Sequence, residues 1–177
     1  MGIIYRELED DEIERIREID RSELITRIYV YTQGRLEERS AFFDMKGFPE
    51  GELELIIERQ KALHKAQGCV IGAFDGAALA AVASVENKIR GTIHRYCKMD
   101  ILHVSKTYRD RGIASALIGE CKRRAKAFGA DRLYISATES KHTVDFYMKR
   151  GAVLVQEPDE ELFRLEPLDI HLEMGLD

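Results

Sequence analysis

The stretch from Met99 to Leu117 leaves the chain few structural choices. An apolar run, Met99 to Val104, reads as a strand and feeds a short polar turn. The turn opens directly into an amphipathic helix. A helix start leaves backbone N–H groups without partners and concentrates partial positive charge, so it favours an anion such as a phosphate. Gly112 and Ala114 keep the rim of this start low, which lets a pyrophosphate approach the main chain, and Arg109 and Arg111 add fixed charge. The expected cradle runs through Arg109, Asp110, Arg111, Gly112, Ile113, Ala114 and Ser115. The competing reading is an ordinary strand–turn–helix in which one glycine eases packing. A Walker loop would end in Gly-Lys-Ser/Thr, and a dinucleotide fingerprint would carry three spaced glycines; neither pattern is present here.

With 177 residues the chain fits a single domain over 1–177 and can bury a sizeable core. Hydrophobic residues at 45% and charged residues at 33% describe a globular chain rather than a disordered one. A net charge of -5 argues against nucleic acid as a partner. The basic cluster Lys122, Arg123, Arg124 and Lys126 reads as a solvated helix face. Cys69, Cys97 and Cys121 are odd in number and scattered, which suits a reducing, cytoplasmic setting. Charges at Arg6, Glu7, Glu9 and Asp10 interrupt any leader-like apolar stretch, and no run approaches a membrane span, so no membrane partner is expected. His94, Cys97 and His103 lack paired zinc spacing, and no metal is expected.

Ile3 to Leu8 reads as a first strand, followed by an acidic helix from Asp10 to Ile19 that Asp10 and Asp11 can cap. Between Glu23 and Pro49 the pattern is weak. A helix spans about Glu50 to Gln67. Cys69–Phe74 and Ala77–Val85 flank Asp75-Gly76, a two-residue hairpin signal. After the helix that Gly129 ends come a strand at Arg132–Ala137 and a helix at Lys141–Arg150. Strands at Ala152–Gln156 and Ile170–Met174 close the order, and Glu157–Glu161 between them reads as a charged loop. This order predicts an α/β chain of the α+β mixed kind, a mixed, largely antiparallel sheet with helices on both faces.

The pattern Arg109-x-x-Gly112-x-Ala114, with Val104 five residues before it and Leu117 three after, resembles the acyl-CoA-binding signature of the GNAT (general N-acetyltransferase) superfamily. A second match, Ser140-x-x-Thr143-x-x-x-Tyr147-x-x-x-Gly151-Ala152, resembles that family's Asn-x-x-Ala-x-x-x-Tyr-x-x-x-Gly-Phe element. Ser140, Thr143 and Ala152 stand where Asn, Ala and Phe are usual. The resemblance runs from Val70 to Gln156 and implies a GNAT-like acyltransferase fold with acetyl-CoA as co-substrate. It implies that the strand ending at Val104 splays from its neighbour, that the backbone of Leu102 and Val104 meets the pantetheine arm, and that Ser140 and Thr143 lie near the cofactor. By analogy it also implies a homodimer.

Enzymes of this kind let an amine attack the thioester directly, so the resemblance implies transfer of an acetyl group to a small-molecule or peptide amine. The alternative is a non-catalytic acyl-CoA-binding module. The resemblance places Tyr147 beside the leaving sulfur, and a phenol titrating near 10 suits a hydrogen-bond donor better than an acid. An N–H of the Leu102–Val104 strand is the expected oxyanion donor. For the base, period-two alternation puts Asp100 on the face of Leu102 and Val104, with His103 opposite. Glu86, at the end of the preceding strand, offers a relay through water. Tyr29, Tyr31, Phe42 and Phe43 either line an acceptor pocket or fill the core.

Overall fold

The computed structural model describes residues 2–177. Its strands are β1 (Ile4–Glu7), β2 (Glu23–Thr32), β3 (Arg35–Met45), β4 (Cys69–Asp75), β5 (Ala78–Val85), β6 (Tyr96–Val104), β7 (Arg132–Ala137), β8 (Val153–Leu154) and β9 (Ile170–Gly175). The α-helices are α1 (Glu52–Lys65), α2 (Ile113–Ala127), α3 (Lys141–Met148) and α4 (Glu160–Leu165). Seven strands form one sheet in the order β1-β4-β5-β6-β7-β9-β8, and β2 and β3 form a separate hairpin. Every pairing in the large sheet is antiparallel except β6 with β7. Helices cover both faces, as the element order predicts.

One face carries the main core, where Cys97, Met99, Leu133, Ile135 and Leu172 of the sheet meet Leu117 and Cys121 of α2 and Val144 and Tyr147 of α3. On the other, Val70, Val82 and Ile101 pack with Ile56 and Ile57 of α1 and Ile13 and Ile16. These last two belong to a 3-10 helix at Asp10–Glu18. Its N-cap is Glu9 rather than Asp10 or Asp11, and the Glu9 N–H donates to Glu12 Oε2 at 3.0 Å.

Three segments differ from the sequence expectation. The weakly patterned Glu23–Pro49 stretch is a long hairpin turning at Gln33-Gly34, whose φ values of 50° and 83° suit a tight turn. Neither face of this hairpin is fully buried, so no clean alternation marks it. Glu157–Glu161 is no mere loop: α4 begins within it, and the Leu162 N–H donates to Asp159 Oδ1 at 3.0 Å. The strand expected over Ala152–Gln156 shrinks to Val153–Leu154. The other hairpin forms as expected, although Asp75 pairs with Ala78 and its turn is Gly76-Ala77. No helix among the described residues is long and apolar enough to cross a membrane.

Candidate active site

After β6 a 3-10 turn at Lys106–Tyr108 leads to α2, with Asp110 and Gly112 in the left-handed region at φ of 59° and 78°. The first helical bond runs from the Ala116 N–H to the Gly112 carbonyl at 3.1 Å, so the Ile113, Ala114 and Ser115 amides point out of the helix start. Among the described residues, the Asp110, Arg111 and Gly112 amides have no main-chain partner either. Consecutive free amides around left-handed residues make a concave anion receptor. A Cβ on Gly112 would meet nothing within 4 Å, so the rim opens to solvent.

Arg109 does not take the role expected of it, and another arginine stands at the cradle. Arg109 turns away from the cradle: its Nε donates to the Val104 carbonyl at 3.1 Å and its Nη1 to the Ser22 carbonyl at 2.9 Å. Its charge therefore latches the end of β6 to the segment before β2. Arg150, which follows α3, reaches the cradle instead, and its Nε donates to Ser115 Oγ at 2.8 Å. Its guanidinium also stacks 3.7 Å from the Phe146 ring centroid. Arg111 lies over the Tyr108 ring at 5.3 Å.

The β6–β7 pairing stops at Met99↔Ile135, whereas β6 stays paired with β5 as far as Val104↔Ala81. Beyond Met99 the two parallel strands part. The Ser105 N–H donates to the Ala80 carbonyl, so by the antiparallel period the Leu102 and Val104 backbones turn toward the opening. Arg109 occupies the Val104 carbonyl. The Leu102 and Val104 amides point away from β5, on a margin that no β7 residue pairs with.

Asp100 does not share the face of Leu102 and Val104. The register shifts between Ser84↔Ile101 and Val85↔Met99, which leaves Asp100 as an extra residue in a bulge. A bulge resets the alternation, so Asp100 and Ile101 both point to the α1 side while Leu102 and Val104 pack on the main core. Asp100 Oδ2 accepts from Arg59 Nε and Gln60 Nε2, each at 2.7 Å, and Oδ1 from Lys98 Nζ at 3.0 Å. Burial opposes its charge, but Lys98 and Arg59 overcome that and hold its carboxyl below the usual range. A carboxylate so engaged is a weak base. His103 lies on this same side, edge-on to Phe48 at 5.3 Å; burial, aided by Arg21 and Arg59, lowers it to about 3. Glu86 is paired with Arg90 at 3.0 Å.

Tyr147 is buried on α3, and its hydroxyl has no hydrogen-bond partner among the described residues. Burial raises its phenol well above the ordinary value. Ser140 stands at the N-cap position of α3 without a side-chain capping bond and is buried against the β2 hairpin through a bridge to Ile28, and Thr143 is half-buried one turn on. Tyr29 packs on the main core and donates to Asp145 Oδ1 at 2.9 Å. Tyr31, Phe42 and Phe43 are exposed, so the four aromatics share no single role.

The α1 side also holds a residue that no sequence pattern marked. Asp169, just before β9, is raised to about 7 by burial and by Glu166 and Glu139. The loop carrying it is fixed by His171, whose Nε2 lies 3.1 Å from the Glu166 carbonyl and Nδ1 2.7 Å from the Tyr134 hydroxyl. A carbonyl only accepts, so Nε2 bears the proton and Nδ1 accepts from Tyr134. A cavity of about 1160 Å³ lies elsewhere, between Lys88–Tyr96 and α4, and none of these residues lines it.

The model of the Acetyltransferase (GNAT) family matches residues 28–152. Nourseothricin acetyltransferase aligns over 100% of both chains with a TM-score of 0.74 and 19% identity. A Bacillus anthracis str. Ames protein, provisionally named a streptothricin acetyltransferase and solved with acetyl coenzyme A, also aligns over 100% of both, at 0.73 and 18%. PaiA N-acetyltransferase of Thermoplasma acidophilum, in complex with coenzyme A, aligns over 99% of each chain at 0.63 and 16%. These likenesses are of fold. No curated protein matches the chain.

Proposed function

The chain belongs to the GNAT acetyltransferase family, and from that premise we propose that it moves an acetyl group from acetyl-CoA to a primary amine by direct attack in a ternary complex. The observation that carries this reading is the run of free amides from Asp110 to Ser115 beside the open margin of β6. A pyrophosphate seated on those amides, with Arg150 beside Ser115, leaves its pantetheine arm along Leu102 and Val104. Coenzyme A or acetyl coenzyme A in two structural neighbours supports the choice of co-substrate. Ser140 and Thr143, at the start of α3, border the arm in this reading.

A strand amide of the Leu102–Val104 run donates to the carbonyl oxygen as negative charge develops there. Tyr147 donates a hydrogen bond to the departing sulfur. Its raised phenol keeps the proton, so it stabilises the thiolate without surrendering a proton to it. Asp100 positions rather than reacts: it holds Lys98, Arg59 and Gln60 together on the acceptor side.

The test is release of free CoA from acetyl-CoA across a panel of primary amines that includes nourseothricin, the acceptor for which one neighbour is named. Turnover with any amine supports the transferase. Acetyl-CoA binding without turnover would favour a binding module instead.

A further inference from the structure

The geometry points to Asp169 as the base that takes the proton from the acceptor ammonium, an inference that rests on the transferase reading. Ile170 pairs with Ala137, so Asp169 stands level with the end of β7, just beyond the Met99↔Ile135 pair where β6 and β7 part. Ile170 and Leu172 point into the main core, so by alternation Asp169 and His171 point to the opposite side, that of Asp100 and α1. An arm that lies against the main-core side of the gap leaves this side for the acceptor.

Four charged groups act on the charge of Asp169, each from a different part of the chain. They are Lys98 of β6, Glu139 after β7, Glu166 after α4, and Arg21 before β2. The cations are already engaged. Lys98 Nζ sits 3.0 Å from Asp100 and 3.6 Å from Glu166, and Arg21 pairs with Glu52 at 2.7 Å. The Asp169 carboxylate has no hydrogen bond among the described residues, whereas Asp100, Glu86 and Glu166 all have a cation within salt-bridge distance. Its lone pairs remain available to an incoming donor.

A second observation marks this side as built for a polar ligand. Gln60 is fully buried and donates to Asp100, yet its amide oxygen has no partner. Ser136 Oγ, on the same side of β7 next to the parting strands, is likewise buried and unpaired. Buried acceptors without donors are costly, and an ammonium supplies three donors. A cationic primary amine suits this surface. A raised carboxyl near neutrality matches a base that must take up and release a proton at working pH.

The chemistry balances. R–NH3+ gives one proton to Asp169, and the freed lone pair attacks the thioester carbon. The C–S bond breaks with its electron pair on sulfur, a second nitrogen proton passes to that sulfur, and Asp169 returns its proton to water.

The test compares the unmodified chain with Asp169→Asn and Asp169→Glu, using nourseothricin, 1,5-diaminopentane and a tripeptide amine as probes. The expected result for Asp169→Asn is a loss of about 100-fold in kcat/KM at pH 7, with acetyl-CoA affinity within about twofold. The limb of the pH profile near 7 also disappears, a change that a merely structural residue would not produce. Asp169→Glu restores part of the rate and keeps a limb. Should Asp169→Asn retain the rate and the limb while the unmodified chain turns over, the assignment of the base is wrong and the transferase reading stands. Failure of the unmodified chain to release CoA with every probe would overturn both.

Discussion

Arg109 Nε donates to the Val104 main-chain oxygen across 3.1 Å, tying the first residue of the cradle signature to the last residue of the splayed strand. The same guanidinium reaches the Ser22 carbonyl at 2.9 Å. This arginine thus holds the margin of β6 in place before any ligand arrives. Arg109→Ala is expected to lower stability in the absence of acetyl-CoA by about 2 kcal/mol, the scale of charged hydrogen bonds to carbonyls. Arg109→Lys recovers only part, since one ammonium cannot span both carbonyls in fork geometry. Thermal melts of the ligand-free variants check this. Unchanged melting with weakened acetyl-CoA binding would show that the charge serves the ligand instead.

Arg150 carries the opposite expectation. Its partner Ser115 lies in the first turn of α2, so Arg150→Ala should weaken acetyl-CoA binding by about tenfold, more at low salt than at high. Its ligand-free melting point should hardly move. Calorimetry at two ionic strengths separates these effects.

Gly112 permits a graded test. At φ of 78° with open space around its Cα, alanine there meets no neighbour and costs only backbone strain, about 1 kcal/mol. Gly112→Glu pays the same strain but sets a carboxylate against the diphosphate, so acetyl-CoA affinity should fall by more than about 100-fold. Equal binding by the two variants would place the anion elsewhere.

The strand–turn–helix geometry of the proposed cradle was legible because its parts are neighbours in sequence: strand end, turn, glycine and helix start lie within about twenty residues. The α2 stripe of Ile113, Leu117, Ile118, Cys121 and Ala125 is buried as its spacing implies. Asp100 was misread because one inserted residue reverses every later side chain, and nothing local announces the bulge. The β2–β3 hairpin was missed because water touches both of its faces; Gln33-Gly34 was the available clue. Arg150 and Asp169 were invisible for another reason. Each acquires its surroundings only through packing of segments far apart in the chain, Arg150 beside Ser115 and Asp169 in the electrostatic field of Glu139 and Lys98.

The buried anion–cation group around Asp100 makes a strong stability prediction. Asp100→Ala removes the nearer partner of Lys98, which is almost wholly buried and keeps only Glu166 at 3.6 Å, and leaves Gln60 without its acceptor. Stability should fall by about 3–5 kcal/mol in denaturant titrations. A loss below about 1 kcal/mol would mean that water reaches this group freely.

Asp169 and His103 pull stability in opposite directions with pH. Asp169 is near 7 when folded and about 3.9 when unfolded, so the folded chain holds its proton more tightly. That contribution is complete below about pH 4 and is lost as pH rises through 7. His103 is near 3 when folded and about 6.5 when unfolded, so its contribution is complete above about 6.5 and is lost as pH falls toward 3. Asp169→Asn should therefore melt a few degrees above the parent at pH 8 and level with it at pH 4. Melting curves at the two pH values decide the sign.

The most direct test is hydrogen exchange of individual backbone amides with and without saturating acetyl-CoA. The amides of Asp110 to Ser115, together with those of Leu102 and Val104, are expected to slow together on addition of the ligand, while the Lys88–Tyr96 loop stays unchanged. Saturable binding that leaves those amides exchanging at their free rates would contradict the account.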